Sequence, residues 1–306
     1  MLHICSIPAL SDNYFWLLTE HPLTERPLTK HSLETDRSSE SGQASIQEIA
    51  HQGTQQKIQQ PSPQDAYIID PGDGEAVLHV LQQYHLRLVG ILITHRHYDH
   101  VDGIRFLIDQ CANATNPVPV YGPKTSAIPQ VTHPVYEGDV VSLFGRDGLT
   151  VMETPGHTEE HIVYYSHTSN DVPILFCGDT LFASGCGRLM GGSAEQLHNS
   201  LQRLAALPDN TQVHCAHEYT LSNLHFAQAV EPNNRNLDRR ITETIACRSQ
   251  NKPTTPFELR QEKQNNPFLR VAEPEIQDAV KQYWKKDTAL SNAETFALLR
   301  QWKDEA

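Results

Sequence analysis

Histidine and aspartate side chains are concentrated in one short segment of this 306-residue chain, which reads THRHYDH over residues 94–100. His95, His97, Asp99 and His100 place four potential metal ligands within six residues, after an apolar run and before a segment with helical spacing. Imidazoles and carboxylates this close together are costly to bury unless a cation compensates them. The segment therefore predicts a metal site rather than four independent structural residues.

Three later segments carry potential ligands at comparable positions, each just after a predicted strand. They are TPGHT with His157, CGDT with Asp179, and HCAHEY with His217. Taken alone, each is explained equally well by a turn or a helix cap. Four such segments at strand ends, where open sheets collect functional side chains, favour one shared site.

Five histidines and two aspartates are too many ligands for one tetrahedral zinc ion, so we expect two ions. The natural division gives one ion to His95, His97 and His157, and the other to Asp99, His100 and His217, with Asp179 bridging both. A hydroxide held between two cations can serve as a nucleophile near neutral pH, and the cations polarise a carbonyl group. Asp99 and Asp179 are therefore predicted to be catalytic as well as metal-binding, in a positively charged site that favours an anionic substrate.

The elements that must position these residues are short strands and helices. Strands are predicted near 3–8, 13–19, 66–70, 88–94, 118–121, 139–144, 148–153, 161–166, 173–178 and 211–217, and helices at 75–85, 103–111 and 194–207. From about 21 to 64 the chain is polar and rich in glutamine, which predicts a surface insertion at the tip of a hairpin.

After residue 217 the strands are expected to end. Helical composition follows at 221–230, 236–249, 275–285 and 292–303. We therefore predict a metal-binding catalytic domain at 1–217 and a smaller helical, substrate-binding domain at 218–306.

Composition excludes several classes of protein. Lys and Arg number 24 against 37 Asp and Glu, and the resulting formal charge of −13 argues against general binding of nucleic acid. No apolar run approaches the roughly 18 residues of a membrane span. Six scattered cysteines without a CxxC pair, and no basic-then-apolar start, predict a reduced cytoplasmic protein. We expect a monomer.

The motifs THRHYDH, TPGHT, CGDT and CAHEYT together resemble the metallo-β-lactamase superfamily, and their order with the helical tail resembles the glyoxalase II (hydroxyacylglutathione hydrolase) family. The resemblance covers nearly all of the chain except about 21–64. It implies an α/β (α+β) fold, a four-layer αββα sandwich followed by a helical domain. It also implies two divalent ions on the seven residues above, with zinc expected first and iron or manganese as alternatives. The implied activity is hydrolysis of S-D-lactoylglutathione to glutathione and D-lactate, the second step of methylglyoxal detoxification.

The family's glutathione-binding positions can be carried over to four residues of this chain. They are Arg188 after the Gly-Cys-Gly turn, Tyr219 in HEYT, and Arg300 and Lys303 in the tail. Cationic and hydroxyl groups suit a peptide with two carboxylates. Without the resemblance, the two tail residues would be interpreted as a solvated helix face.

The chain departs from the family pattern at three positions. Met190 stands where some members have an aromatic residue, and Glu159-Glu160 precedes His161 where the pattern has one residue and then glycine. His161 is expected to be structural or to support a ligand. Asp70, at the end of AYIID, either supports a metal-binding histidine or is a turn residue.

The predicted reaction is attack of the bridging hydroxide on a thioester carbonyl. A thiol with a pKa near ~8.5 leaves as thiolate without a strong general acid. Other readings are a β-lactamase, a phosphodiesterase or a one-iron persulfide dioxygenase, which the tail containing Arg300 and Lys303 disfavours. A non-enzymatic metal-storage or sensor protein would require a closed coordination shell.

Overall fold

The computed structural model describes residues 2–23, 62–166 and 172–306. Most of the predicted polar insertion at 21–64 therefore lies outside the described residues. The strands are β1 His3–Ala9, β2 Asn13–Thr19, β3 Gln64–Ile69, β4 Leu86–Leu92, β5 Val120–Pro123, β6 His133–Val135, β7 Val140–Leu143, β8 Arg146–Glu153, β9 Ile162–Ser166, β10 Ile174–Gly178, β11 Leu181–Phe182, β12 Gly185–Cys186, β13 Gln212–Cys215 and β14 Phe257–Glu258. The helices are α1 Gly74–Gln83, α2 Tyr98–Val101, α3 Gly103–Cys111, α4 Ala194–Ala205, α5 Thr220–Val230, α6 Arg235–Arg248, α7 Leu259–Asn265, α8 Pro274–Trp284 and α9 Asn292–Glu305.

The first sheet has six strands in the order β1-β2-β3-β4-β5-β6. The pairs β1–β2 and β2–β3 are antiparallel, and the strands from β3 to β6 are parallel. All seven residues of β2 are buried, as expected for a strand covered on both faces. The outer face of the first sheet packs on α1 and α3 through residues that include Val80 and Leu107.

The second sheet has the order β14-β13-β10-β9-β8-β7. The pair β10–β13 is parallel, so the carboxyl ends of these two strands meet at one edge. The outer face of this sheet packs on α4 and on the C-terminal helices through a cluster that contains Leu201, Phe268 and Phe296.

The inner faces of the two sheets pack against each other. Trp16 and Leu18 of the first sheet share a buried cluster with Val151, Tyr164 and Phe176 of the second. Helices therefore cover each outer face, and the predicted αββα sandwich with a C-terminal helical region is confirmed.

The prediction that strands end at residue 217 is wrong at one place. Phe257 and Glu258 form β14, which pairs antiparallel with β13 through Val213–Phe257 and Gln212–Glu258. Two residues are too few to display the alternation that marks a strand in sequence, and the edge of β13 supplies the hydrogen bonds. Within the described ranges, no helix has both the length and the apolar character needed to cross a bilayer.

Candidate metal centre

The predicted ligands lie on four connections that follow strands. The connection after β4 carries the THRHYDH segment, and the one after β8 carries His157. Asp179 directly follows β10, and His217 lies two residues beyond β13. The parallel pairing of β10 and β13 brings the last two together, since both strands end at the same edge.

Three imidazole nitrogens converge in a first group formed by His95, His97 and His157. His97 Nδ1 lies 3.0 Å from His95 Nε2 and 3.0 Å from His157 Nε2. His157 Nδ1 donates a hydrogen bond of 2.7 Å to the carbonyl of Arg188, which leaves Nε2 of the neutral ring with its lone pair. Nitrogen lone pairs directed at one point are the donor set of a divalent transition-metal ion.

A second group contains Asp99, His100 and His217, whose ligand atoms lie within 4.8 Å of one another. Asp99 Oδ2 is 3.6 Å from His100 Nε2 and 3.4 Å from His217 Nε2. One carboxylate and two imidazoles again match the donors that zinc or iron prefers.

Asp179 lies between the two groups with one oxygen facing each. Its Oδ2 is 3.4 Å from His157 Nε2, and its Oδ1 is 3.3 Å from His217 Nε2 and 3.5 Å from His100 Nε2. The residue is buried, and neither its Oδ1 nor His100 Nε2 has a hydrogen-bond partner among the described residues. Buried polar atoms of this kind are expensive unless a cation satisfies them, so the donor set fits two divalent ions.

Carboxylates outside the two groups orient the histidines. Asp70 Oδ2 lies 3.0 Å from His100 Nδ1, and the same carboxylate accepts hydrogen bonds from the backbone amide (2.8 Å) and hydroxyl (2.6 Å) of Thr94. Asp70 also has a left-handed backbone with φ of 52°. Both readings of Asp70, as a support of a histidine and as a turn residue, therefore describe the same side chain in this structure.

Two supporting residues were missed by the sequence analysis. Asp12 Oδ1 accepts a 2.7 Å hydrogen bond from His217 Nδ1, and Asn13 Nδ2 donates a 3.0 Å hydrogen bond to Asp99 Oδ2. Asp12 lies in the turn between β1 and β2 and Asn13 begins β2, and both were missed because this segment was given no role in the site. The available signal was the need of a metal-binding histidine for an acceptor on its second nitrogen.

His161 lies behind the first group and belongs to neither group. Its ring stacks on His95 with centroids 4.8 Å apart, and its Nε2 accepts a hydrogen bond from the amide of Asp179. Its Nδ1 lies 3.1 Å from the hydroxyls of Thr154 and Thr180. Both ring nitrogens are thus engaged by the protein, as expected for a supporting residue.

The electrostatics differ between the two groups. Burial lowers the pKa of His95, His97 and His157, so the first group is neutral. Burial acts in the same direction on His217, but Asp179, Asp12 and Asp99 outweigh it and raise its pKa to about 10. The carboxylates therefore favour positive charge at the second group, which a metal ion would supply in place of a proton.

A cavity of about 560 Å³ runs from the candidate ligands to the C-terminal helix. Its lining includes five candidate ligands and all four predicted substrate-binding residues: His97, Asp99, His157, Asp179, His217, Arg188, Tyr219, Arg300 and Lys303. The Tyr219 ring stacks on His217 with centroids 4.8 Å apart and an interplanar angle of 2°. The cavity therefore joins the two parts of the predicted site.

Arg300 of α9 is buried rather than part of a solvated helix face. Arg300 is only 3% exposed, and it donates hydrogen bonds to the Cys186 carbonyl and to Asp304, 3.0 Å each. Its guanidinium lies over the Phe268 ring at 5.0 Å. The solvated-face interpretation is thus wrong for Arg300, because Cys186 and Phe268, which are distant in sequence, cover its guanidinium.

Comparison with known proteins agrees with this geometry. The model of the metallo-beta-lactamase superfamily matches residues 58–217, and the model of the hydroxyacylglutathione hydrolase C-terminus matches residues 218–306. A crystal structure of the B3 metallo-beta-lactamase BLEG-1 is similar with a TM-score of 0.51 and 21% identity, covering 88% of this chain and 99% of that one. The crystal structure of ETHE1 from Myxococcus xanthus has a TM-score of 0.53 and 21% identity, covering 98% of each chain. At this identity, both structures establish the fold alone.

Curated relatives are more similar in sequence. The hydroxyacylglutathione hydrolase of Shewanella halifaxensis is 42% identical over 99% of each chain, and that of Aliivibrio salmonicida is 41% identical over the full length of both. The fold is that of a metallo-β-lactamase superfamily protein. Within that superfamily, the chain belongs to the hydroxyacylglutathione hydrolase family, a family of metal-dependent hydrolases.

Proposed function

We propose that the protein hydrolyses S-2-hydroxyacylglutathione thioesters, with S-D-lactoylglutathione as the main substrate, to glutathione and the hydroxy acid. This is the second step of methylglyoxal detoxification. The observation that carries the proposal is the cavity that joins the two groups of candidate ligands to a cationic end formed by Arg188, Arg300 and Lys303. The names of the full-length relatives support the same substrate class.

The two divalent ions, which we propose to be zinc with iron or manganese as alternatives, are held by the seven residues named above. His95, His97 and His157 would hold one ion and Asp99, His100 and His217 the other, with Asp179 available to both groups. When bound, the ions supply the acidity that ionises water near neutral pH and the positive charge that polarises a thioester carbonyl. The carboxylates of Asp99 and Asp179 would have the catalytic role of holding the ions at the end of the cavity and balancing part of their positive charge.

The other end of the cavity suits the peptide part of the substrate. Glutathione carries two carboxylates, and Arg188 and Lys303 offer cations at the wall of the cavity. Burial and the neighbouring Asp12 raise the pKa of Tyr219, so its hydroxyl remains a donor at neutral pH. The thioester would then extend from the cations toward Asp179.

Departure of the thiol needs little assistance from protein side chains. A thiol with a pKa near ~8.5 leaves as a thiolate, so no strong general acid is needed. His97, His157 and Asp179 line an open cavity rather than a closed coordination shell, which supports turnover over metal storage.

We also propose that residues 1–217 form the catalytic domain and residues 218–306 the substrate-binding domain. A monomeric, cytoplasmic protein is part of the same proposal. All six cysteines are free, which supports a reducing compartment. Light scattering coupled to size exclusion tests the oligomeric state, and a second copy per particle would refute the monomer.

The decisive experiment combines metal analysis and a substrate panel on one preparation. We expect about two metal ions per chain and fast hydrolysis of S-D-lactoylglutathione, with little turnover of a cephalosporin, a phosphodiester or glutathione persulfide. The Asp179→Asn variant is the matched control, because it keeps the size of the side chain and removes its charge. A fully loaded protein that leaves the lactoyl thioester intact would refute the proposal.

A further inference from the structure

Arg96 stands between two candidate ligands but does not line the cavity. Its neighbours His95 and His97 belong to the first group, whereas the Arg96 side chain turns away toward Glu160. The backbone amide of Arg96 donates a 3.2 Å hydrogen bond to Glu160 Oε1, and its Nη1 forms an ion pair with Glu160 Oε2. One carboxylate thus holds both the main chain and the side chain of Arg96.

Glu160 is one of the departures from the family pattern, in which a glycine precedes the second histidine. A glycine could offer neither contact, since both are made by the carboxylate. The Glu160 side chain is 12% exposed and that of Arg96 is 31% exposed, so the pair is partly desolvated. A partly buried pair with two contacts is held more firmly than a surface ion pair.

The second arm of the guanidinium reaches a third segment. Arg96 Nη2 donates a 3.0 Å hydrogen bond to the carbonyl of Met190. The amide of Met190 donates to the His157 carbonyl at 2.8 Å, and the carbonyl of Arg188 accepts from His157 Nδ1 at 2.7 Å. Residues 188–190 are therefore held by His157 on one side and by Arg96 on the other.

The close approach of Arg96 restricts the next residue as well. A Cβ placed on Gly191 would lie 2.7 Å from Arg96 Nη2, and Gly191 has φ of +124°. The backbone conformation favours glycine there, and a larger residue would also displace the end of the Arg96 side chain.

We propose that Arg96 and Glu160 are positioning residues that fix the segment 188–191, and with it the Arg188 side chain at the wall of the cavity. The Arg188 side chain is 72% exposed, and its one ion pair within the part of the chain that the structure describes, with Asp304, is long at 3.5 Å. Its position therefore depends on the backbone beneath it. The inference rests on the proposed function only in that Arg188 is taken to contact the anionic substrate.

The first test separates substrate binding from the chemical step. In Arg96→Ala we expect KM for the lactoyl thioester to rise about tenfold, with kcat within about threefold of wild type and two metal ions retained. Glu160→Gln, which keeps an acceptor for the Arg96 amide, should show a smaller rise in KM. Arg105→Ala is the matched control, because Arg105 pairs with Asp109 on the exposed face of α3. A fall in kcat or metal content with unchanged KM would overturn the proposal.

The second test asks whether Arg96 acts through Arg188. If it does, Arg96→Ala should raise KM little further in an Arg188→Ala background, so the two effects are not multiplicative. If the increases multiply, Arg96 acts by another route and the proposal is wrong. If Arg96→Ala does not fold, Arg96→Lys serves instead, since an ammonium group cannot span Glu160 and the Met190 carbonyl as the guanidinium fork does.

A third measurement needs no substrate. Hydrogen–deuterium exchange of the peptide containing residues 187–192 should increase in Arg96→Ala, while exchange in β9 stays as in wild type. An unchanged rate in 187–192 would refute the positioning role even if the proposed activity were correct. Conversely, a wild-type protein that does not cleave the thioester would refute the function while this result still tests the role of Arg96.

Discussion

Replacing Asp70 by asparagine should weaken the binding of one metal ion and leave the binding of the other nearly unchanged. Asparagine keeps the size of the side chain and tolerates the left-handed backbone at φ of 52°, so the turn is preserved. Its oxygen can still accept from the Thr94 amide. Its amide nitrogen then faces Thr94 Oγ1, from which the carboxylate accepted a hydrogen bond, and His100 Nδ1, which lay 3.0 Å from the carboxylate.

The cost follows from the contact with His100. An amide that donates to His100 Nδ1 moves the ring proton to Nε2, the atom that faces Asp99 and Asp179. The ring must reverse this tautomer to bind a cation. Loss of an outer-shell partner of a metal-binding histidine costs about 10–100-fold in metal affinity, which corresponds to about 1.4–2.8 kcal/mol for the second ion.

Competition with a chromophoric zinc chelator measures both affinities in one titration. In Asp70→Asn we expect the affinity for one zinc ion to fall by about 10–100-fold. The affinity for the ion at His95, His97 and His157 should change by less than about threefold. Asp65→Asn is a suitable control, because Asp65 pairs only at the surface with Arg87. An equal loss of affinity for both ions, or no change in either affinity, would contradict the conclusion that Asp70 supports His100.

Three further outcomes are expected. Asp179→Ala should lower kcat by more than about 100-fold, because loss of an outer-shell partner alone costs up to that factor. A metal assay of this variant should find fewer than two ions per chain. Removing metal with a chelator should lower the unfolding temperature, and added zinc should restore it, because an ion that binds only the folded state stabilises it; an unchanged Tm in calorimetry would count against the site. Burial lowers the pKa of His214 to about 4. Since the unfolded chain takes up this proton near pH 6.5, stability should fall by about 3 kcal/mol between pH 6.5 and 4, and urea unfolding of His214→Gln should lack that part of the decrease.

Much of the fold and the core of the site are predictable because their signals are local. The apolar runs of β4 and β10 indicate buried strands, and the THRHYDH segment places four candidate ligands within six residues. Ligand types at strand ends are visible in sequence even though their partners are distant. The predicted grouping of seven residues used two general rules: ligand types at strand ends collect at a common site, and seven ligands are too many for one tetrahedral ion.

Long-range polar contacts are what the sequence could not provide. Asp12 and His217 are 205 positions apart, and only the adjacency of the β1–β2 turn to the end of β13 joins them. The burial of Arg300 likewise depends on Cys186, which is 114 positions away. Such contacts leave no periodicity and no composition signal at either partner.

The pairing of β13 with β14 means that a chain cut after residue 217 would lose more than a cap of helices. Without Phe257 and Glu258, one side of β13 would present free amides and carbonyls next to an uncovered apolar face. Such an edge invites pairing with another molecule. The family models divide at 217 and 218, but the hydrogen bonds cross that point, so a shortened chain is expected to self-associate rather than remain a dispersed, metal-binding fragment.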